Sequence, residues 1–229
     1  MNREQNLHSD NKLIVMIVGS AGAGKNTIMD RVKYEFGEDF IKHFPSCTTR
    51  PIRESEMHGR EHFFMTKEEM FALVKEHRIV ELKKVYNNLY GTDIKVIEDT
   101  LLHTPIAMKD YDVEGYANAK KRINYIREKN GREPLHIVSI LIDAPDDQLI
   151  ARMKNRHDNT DVSAREQELI KDRVIKNHSK YDYRVMNNDL ETAINEVVGI
   201  IKHEYERVTG KSIPENAKNS TNQQIVELV

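Results

Sequence analysis

The sequence predicts an α/β protein built on a doubly wound, mostly parallel sheet, and three observations support this class. Apolar runs of strand length alternate along the chain with segments whose apolar residues recur at helical spacing. The first run, Leu13–Val18, passes directly into a glycine-rich loop and then into a helical segment. The 229 residues are enough for one substantial core and an inserted subdomain. Strands and helices in this alternation form parallel sheets that are covered by helices on both faces.

Composition and charge exclude several classes of protein. The chain carries 35 Lys and Arg against 37 Asp and Glu, unlike the strongly basic surface of a protein that coats a polynucleotide. Its single cysteine, Cys47, cannot form an internal disulfide and suits a reducing compartment. No apolar stretch is long enough to span a membrane, and residues 1–11 lack the apolar core of a signal peptide. We therefore expect a cytoplasmic protein without polynucleotide or membrane partners.

The stretch that follows the first strand carries the strongest functional signal. Gly19 to Lys25 fits G-x-x-x-x-G-K, a loop whose backbone N–H groups cradle phosphates and whose lysine reaches the outer phosphates of a nucleoside triphosphate. Glycines let the backbone curl around an anion, and the next helix directs its positive end to the same point. A plain glycine-rich turn is the alternative. The predicted nucleotide-binding residues are Gly19, Ser20, Ala21, Gly22, Ala23, Gly24, Lys25, Asn26 and Thr27.

Position 26 departs from this motif. The motif usually places Ser or Thr after the lysine, where the hydroxyl binds Mg²⁺. Here Asn26 occupies the position and Thr27 follows. The Asn26 carbonyl oxygen, the Thr27 hydroxyl or a bridging water could replace that hydroxyl, so both residues are candidate metal ligands.

Each further element is predicted from periodicity and from the residues that end it. The helix after the loop places Ile28, Met29, Val32 and Phe36 on one face, and Gly37 is suited to end it. Other helices are predicted around Met70, Phe71 and Val74, and over residues 93–102, 113–130, 145–156, up to about 177 and 190–208. Strands are predicted at 40–47, from Ile79, after Thr104, at 135–143 and at 183–187, with Asn188 and Asp189 as caps of the last helix. We expect a turn at Tyr90 and Gly91, a mobile loop over 157–164 and an unstructured tail beyond Gly210.

Two arginines and one glutamate are candidate ligand contacts. Arg50 and Arg53 flank Pro51, and two guanidinium groups held close together are suited to a shared phosphate. For two arginines alone, a solvated basic turn is the simpler interpretation. Glu81 follows the apolar pair that begins at Ile79, so it would project from a strand near the edge of the core. An isolated glutamate of this kind is usually a surface residue.

Two aspartates end the strand after Thr104. Asp110 and Asp112 would point to the same side, because strand side chains repeat every two residues. Carboxylates at the carboxyl end of a parallel strand suit Mg²⁺ or the donors of a substrate. Asp112 could equally cap the following helix. None of the ten histidines forms a helical metal-binding pair, so a zinc site is not expected.

Over most of residues 13–209, the sequence resembles the guanylate kinase family. The matching segments are GSAGAGKNT, SCTTRPIR, the stretch from Glu81 to YGT, DYDVEG, RMKNR and VMNNDL. Each segment is short, but their order and their spacing through residue 115 make the match specific. The resemblance implies the fold of a P-loop nucleoside monophosphate kinase within residues 12–209. Its core would cover 12–45 and 93–209, an acceptor-binding insert about 46–92 and a lid about 152–173.

The resemblance also implies an activity, the Mg²⁺-dependent transfer of a phosphoryl group from ATP to GMP or dGMP. The loop from Gly19 to Thr27 would hold ATP, and Asp110 would lie on the Mg²⁺ side. Ser46, Glu81 and Asp112 would contact the guanine, and Thr92 the base or its phosphate; Arg50, Arg53, His62 and Tyr90 would hold the acceptor phosphate. The catalytic residues would be Lys25, Arg50, Arg152, Arg156 and Arg173, of which the last three would close over the transferring group.

The chemistry of Glu81 agrees with a guanine acceptor. Guanine offers adjacent N1–H and N2–H₂ donors, whereas an ionised glutamate only accepts hydrogen bonds. Adenine lacks this donor pair and would leave a buried carboxylate unsatisfied, at a cost of about 1–3 kcal/mol or more.

His62 departs from the family, which usually has a tyrosine at this position that donates to the acceptor phosphate. A neutral histidine still donates one hydrogen bond, and its protonated form adds a positive charge. We therefore expect monophosphate binding to tighten as the pH falls through the histidine range near about 6.5.

Two other functions are compatible with the resemblance. Guanylate-kinase-like domains also occur as non-catalytic modules that bind phosphorylated partners through the acceptor site. Such modules tend to lose the donor loop, which is present here with its lysine, Lys25. The second alternative is a kinase for another nucleoside monophosphate on the same scaffold.

Overall fold

The computed structural model describes residues 11–154, 169–173, 175 and 180–213. The elements in chain order are β1 (Leu13–Val18), α1 (Lys25–Phe36), β2 (Ile41–His43), β3 (Ser46–Thr48), β4 (His62–Phe64), α2 (Lys67–Lys75), β5 (Ile79–Val85), β6 (Asn88–Asp93), α3 (Ile94–His103), β7 (Ile106–Tyr111), α4 (Gly115–Lys129), β8 (His136–Asp143), α5 (Asp146–Lys154), β9 (Tyr183–Met186) and α6 (Leu190–Thr209). Residues 169–173 are also helical.

The main sheet has the strand order β2-β7-β1-β8-β9, and every pair of neighbours is parallel. All six residues of β1 are buried, as a strand that is covered on both faces requires. Leu13, Val15 and Ile17 pack with apolar residues of α1 and α6, whereas the alternate residues of β1 pack with α3 and α4. This arrangement confirms the predicted doubly wound sheet.

A second, four-stranded sheet is formed by residues 46–93, with the order β4-β3-β6-β5. Strands β3 and β4 are parallel, whereas β6 is antiparallel to both β3 and β5. Below it, Cys47, Met70 and Ile79 form a small buried cluster with partly buried neighbours. This sheet places the side chains of four short strands opposite the loop that follows β1.

Two predictions in this region, one of a strand and one of a turn, were wrong. The mixed stretch 40–47 is not one strand, because Pro45, which lacks an N–H, separates β2 from β3 and the two join different sheets. Tyr90 and Gly91 lie within β6 rather than in a turn. A Cβ atom at Gly91 would lie 2.9 Å from the Glu81 carbonyl oxygen, so this glycine allows close strand pairing.

Several helix boundaries agree with the prediction. Helix α1 ends at Phe36 and is followed by its C-cap Gly37, which has a φ of 78°, and Asp189 caps α6 by accepting a 2.8 Å hydrogen bond from the Thr192 N–H. Helix α4 begins at Gly115, two residues after the predicted start. The predicted loop over 157–164 and the tail from residue 214 lie outside the described residues. Within the described part of the chain, no helix has the length and apolar character needed to cross a membrane.

Candidate active site

A cleft of about 450 Å³ opens where β1 and β7 end at the carboxyl edge of the main sheet. This edge is where ligands bind in open α/β sheets. Residues 19–26 form one wall, side chains of the second sheet form the opposite wall, and residues 109–112 lie between them. The cleft therefore brings together the predicted loop and most of the predicted acceptor residues.

The loop after β1 is shaped by its glycines and is linked to the rest of the core. Gly22 and Gly24 have φ values of 80° and 89°, a region that side-chain-bearing residues rarely adopt. A Cβ atom at Gly24 would lie 2.5 Å from Nδ2 of Asn187, which itself donates a 2.8 Å hydrogen bond to the Ala23 carbonyl oxygen. The Lys25 ammonium donates to the Gly19 and Ser20 carbonyl oxygens at 2.7 and 3.1 Å, so its side chain folds back onto the start of the loop.

Asn26 and Thr27 follow Lys25 in the first turn of α1, and both are exposed. Asn26 lines the cleft, whereas Thr27 is not among the lining residues. Asp110, at the end of β7, lines the same cleft, and its carboxylate lies 4.0 Å from Nε2 of His43. These side chains offer the oxygen ligands that Mg²⁺ prefers, and Mg²⁺ usually completes its shell with phosphate oxygens and water. No group of three or more His, Cys, Asp and Glu in the described part of the chain could hold a metal ion.

Glu81 occupies the inner end of the cleft. Its Oε1 accepts a 2.6 Å hydrogen bond from the Thr92 hydroxyl, whereas its Oε2 is buried and has no hydrogen-bond partner among the described residues. Burial raises the pKa of Glu81 to about 7, and the Thr92 hydrogen bond and the charge of Lys109 oppose that rise. The cleft thus contains a buried acceptor atom that a ligand with N–H donors would satisfy.

Lys109 lies beside Glu81 and was not predicted from the sequence. Only 5 % of this lysine is exposed, and its ammonium donates to the Ser46 hydroxyl oxygen. The signal available in the sequence was a lysine within an otherwise apolar strand, directly before Asp110. Buried lysines are rare, so the residue deserves a functional explanation.

Asp112 contacts both the start of the following helix and the cleft, the two roles considered for it from the sequence. Its Oδ1 accepts a 2.6 Å hydrogen bond from the N–H of Gly115, the first residue of α4, although the N-cap position itself is occupied by Glu114 and not by Asp112. Its Oδ2 pairs with the Lys83 ammonium at 2.5 Å, and both residues line the cleft. The carboxylate therefore holds the first turn of α4 and faces the ligand space at the same time.

Of the predicted phosphate-binding residues, only some line the cleft. His62 and Tyr90 line the cleft with their rings edge to face at 5.9 Å, and Nδ1 of His62 is buried without a partner in the described region. Burial lowers the pKa of His62, and the charges of Arg50 and Lys109 lower it further. Arg50 and Arg53 are not among the lining residues.

Arg50 is instead held by Glu56, a residue that was not predicted. The guanidinium donates two hydrogen bonds to the carboxylate, at 2.9 and 2.7 Å, and both side chains are largely buried. Pairing with Arg50 lowers the pKa of Glu56 to about 2. Glu56 also accepts a 2.9 Å hydrogen bond from the Arg53 backbone N–H, so one carboxylate organises the whole turn.

Two of the predicted lid arginines, Arg152 and Arg173, do not line the cleft. Arg152, on α5, donates to the Gln148 side-chain oxygen and to the Asn187 carbonyl oxygen, at 3.0 and 2.9 Å. Arg173 pairs with Asp146 and is 65 % exposed. Arg156 lies outside the described residues.

A parallel sheet with a glycine-rich phosphate loop after its first strand, facing a smaller sheet that carries ionisable side chains, defines a P-loop nucleoside monophosphate kinase. The family model described as guanylate kinase matches residues 11–204. The chain therefore belongs to the guanylate kinase family.

Two known proteins illustrate this similarity. The chain is 29 % identical over 198 residues to the guanylate kinase of Buchnera aphidicola subsp. Schizaphis graminum, with 84 % of this chain and 88 % of that protein covered. Among solved structures, the crystal structure of guanylate kinase from Anaplasma phagocytophilum matches 95 % of both chains with a TM-score of 0.57. At 20 % identity, this second match supports the fold alone.

Proposed function

We propose that the chain transfers the terminal phosphoryl group of ATP to GMP or dGMP, with Mg²⁺ bound to the ATP phosphates. The observation that carries this proposal is the unsatisfied Oε2 of Glu81 at the inner end of the cleft. Guanine presents N1–H and N2–H₂ side by side, and an ionised carboxylate accepts from both. A site built around such an acceptor rejects bases that lack the donor pair, because the buried carboxylate would remain unsatisfied.

The phosphate of the acceptor would lie toward His62 and Tyr90. Both residues line the cleft, and Arg50 interacts with Tyr90, which helps to raise the pKa of the guanidinium after the larger effect of Glu56. Arg50 and Arg53 would turn toward an incoming phosphate and share their charge between it and Glu56. Arginine suits this contact because its planar group donates two parallel hydrogen bonds.

On the donor side, the backbone of residues 19–26 would wrap the ATP phosphates and Lys25 would move from its loop carbonyls to the outer phosphates. Asp110, Asn26 and Thr27 would hold the Mg²⁺ shell, and the metal would neutralise charge on the phosphates. Phosphoryl transfer needs alignment and charge neutralisation rather than a protein nucleophile. The acceptor phosphate oxygen attacks the γ-phosphorus in line, and the bond to the ADP oxygen breaks.

Arg152, Arg156 and Arg173 would complete the site by closing over the transferring group. For Arg152 and Arg173, closure requires that the contacts with Asn187 and Asp146 be exchanged for phosphate contacts. Closure of this kind excludes water from the reaction.

A panel of nucleotides tests the proposal. Each ribo- and deoxyribonucleoside monophosphate is offered with ATP and Mg²⁺, and ADP formation is coupled to NADH oxidation. We expect kcat/KM for GMP or dGMP to exceed that for every non-guanine acceptor by at least about 100-fold. Preference for another base would overturn the guanine assignment, and lack of turnover with every monophosphate would favour the non-catalytic module.

A further inference from the structure

Lys109 is a buried cation in the cleft wall to which the proposed function assigns no part. It projects from β7 between the rings of Phe44 and Tyr111, with its Nζ 5.7 and 5.9 Å from the ring centroids. The aromatic faces compensate part of the cost of removing the ammonium from water. Burial lowers the pKa of Lys109, and the charges of Asp110, Glu81 and Cys47 oppose that change.

The hydrogen bonding of Lys109 leaves donors available. An ammonium group has three N–H donors, and within the described part of the chain the Ser46 hydroxyl oxygen is its hydrogen-bond acceptor. Because Ser46 accepts this bond, its own hydroxyl hydrogen is directed elsewhere. Both residues line the cleft, so the cleft wall presents a group of donors next to the acceptor oxygen of Glu81.

This order of donor and acceptor matches one edge of a purine. A 6-oxopurine carries an acceptor, O6, next to a donor, N1–H, whereas adenine carries the N6–H₂ donor next to an acceptor at N1. Glu81 would accept from the N1–H and the 2-amino group, which leaves O6 to face the donors of Ser46 and Lys109. An adenine in the same place would set donor against donor at Lys109 and acceptor against acceptor at Glu81.

We propose that Lys109, acting together with Ser46, is a specificity-determining residue that recognises the O6 carbonyl oxygen of the acceptor base. This inference rests on the proposed function, because it needs a purine monophosphate in the acceptor site. Lys109 would recognise the group at the 6-position of the base, and Glu81 would recognise the 2-amino group. The ammonium also favours the ionised form of the neighbouring Glu81 carboxylate.

Three nucleotides separate these two contacts. GMP has both groups, IMP keeps O6 but lacks the 2-amino group, and 6-thio-GMP keeps the N1–H and the 2-amino group but has a sulfur in place of O6. Sulfur is a weaker hydrogen-bond acceptor than a carbonyl oxygen. Dissociation constants are measured by calorimetry without ATP. The ratio of the constants for IMP and GMP then reports on the contact with the 2-amino group, and the ratio for 6-thio-GMP and GMP reports on the contact with O6.

The test variant is Lys109→Met, whose flexible apolar chain fits between two aromatic rings. We expect GMP binding to weaken by about tenfold or more, because a charged hydrogen bond is lost. The preference for GMP over 6-thio-GMP falls to near one, whereas the preference for GMP over IMP stays as in the unmodified chain. Lys121→Met, on the exposed face of α4, is the matched control and leaves all three constants unchanged.

The relative losses of binding for the three nucleotides decide whether Lys109 recognises O6. An equal loss of binding for all three nucleotides, or no loss for GMP, overturns the part given to Lys109. If the unmodified chain does not bind GMP, the proposed function fails first, independently of any variant. Should Lys109→Met not fold, as judged by circular dichroism, Lys109→Gln keeps a neutral N–H donor and is expected to retain part of the preference for GMP over 6-thio-GMP.

The pH at which binding is measured affects these constants, because several ionisable groups surround the lysine. Lys109 interacts with Glu81 of β5, Asp110 of β7 and Cys47 of β3, and its charge lowers the pKa of His43 and His62. Measuring at pH 8, above the pKa of about 7 of Glu81, keeps that carboxyl largely ionised in the unmodified chain. A return of GMP affinity in Lys109→Met at still higher pH would show that the lysine acts only through Glu81, which contradicts direct recognition of O6.

Discussion

The loop between β1 and α1 takes its shape from consecutive backbone positions, whereas the opposite side of the cleft takes its chemistry from side chains that are distant in sequence. In the loop, two glycines with positive φ create the curve, and Lys25 bonds to carbonyl oxygens five and six residues away. On the opposite side, Lys109 meets Ser46 across 63 residues and Thr92 meets Glu81 across 11. The loop side of the cleft is thus formed locally, and the opposite side, to which we assign the acceptor, is formed only when the second sheet is in place.

This difference bears on how each side can change. A residue replaced in the loop between β1 and α1 alters a backbone arrangement that, under the proposed function, any nucleoside triphosphate would use. A residue replaced in the acceptor wall alters one hydrogen-bonding group and leaves the backbone as it is. We therefore expect acceptor choice to depend on single side chains, and donor binding to depend on the loop as a unit.

The largest effect is expected from Lys25→Met. Loss of an ammonium that neutralises developing charge on the phosphates is expected to lower kcat by about 10²–10³-fold. Because the Lys25 ammonium donates to carbonyl oxygens of the loop between β1 and α1, GMP binding without ATP should change less than about twofold. Steady-state kinetics and calorimetry measure the two quantities, and Lys33→Met on the same helix is the control. Equal losses in both would show that the two sides of the cleft are not independent.

The next effect concerns Glu81→Gln. The glutamine amide carries N–H donors, which cannot accept hydrogen bonds from the N1–H and N2–H₂ groups of guanine. The replacement should therefore lower kcat/KM for GMP by about 100-fold and leave KM for ATP unchanged. Because burial raises the pKa of Glu81 to about 7, the carboxyl is protonated below that pH and accepts poorly. In the unmodified chain, kcat/KM for GMP should therefore rise with pH to a plateau above about 7.

The control for this variant is Glu128→Gln on the exposed face of α4. It should retain both the GMP activity and the pH profile of the unmodified chain. If Glu81→Gln shows the same rise of kcat/KM with pH, another group produces it and the part given to Glu81 is wrong.

The sequence predicted the position and the flanking elements of the loop between β1 and α1, because that loop is made of neighbouring residues. A loop made of neighbouring residues is visible as a motif, and β1 and α1 have the bounds that their apolar spacing indicated. Ser46, Glu81 and Asp112 were also predicted to lie at the site, and the structure brings all three to one cleft. Their assignment depended on the resemblance to a family, since no single spacing relates them.

What could not be predicted consists of pairings between distant residues. Nothing in the local sequence joins Arg50 to Glu56 rather than to a phosphate, or Asn187 to the Ala23 carbonyl oxygen. Tyr90 was placed in a turn because of the glycine after it, but that glycine permits close strand pairing instead. Lys109 was overlooked because a charged residue in an apolar strand becomes informative only when its neighbours are known.

Gly24→Ala tests whether the donor loop acts as a unit. An alanine there must adopt a φ near 89° and would bring its Cβ to 2.5 Å from Nδ2 of Asn187. Gly131→Ala is the matched control, since its φ of 68° imposes similar strain but no atom lies within 4 Å of the added Cβ. We expect the control to lose about 1 kcal/mol of unfolding free energy and Gly24→Ala to lose more.

Urea unfolding measures this comparison, together with the KM for ATP. The clash at Gly24 should raise KM for ATP by about tenfold, whereas KM for GMP stays within about twofold in both variants. Equal destabilisation of the two variants would show that Asn187 moves away freely and that the loop is not held by that contact.

The smallest effect is expected at His62. Its pKa is lowered by burial and by the charges of Arg50 and Lys109, while Glu56 opposes them, so protonation is expected below the ordinary value of 6.5. Protonation would add a positive charge beside the acceptor phosphate, and GMP binding would gain about two- to fivefold between pH 7 and pH 5.5. Ionisation of Glu81 and of the nucleotide phosphate acts over the same range and would mask this gain.

The informative quantity is therefore the GMP dissociation constant of His62→Tyr divided by that of the unmodified chain, because the shared ionisations cancel from this ratio. A ratio that rises as the pH falls supports a charged His62 at the phosphate, and a ratio that stays constant would mean that the histidine remains neutral and serves only as a hydrogen-bond donor.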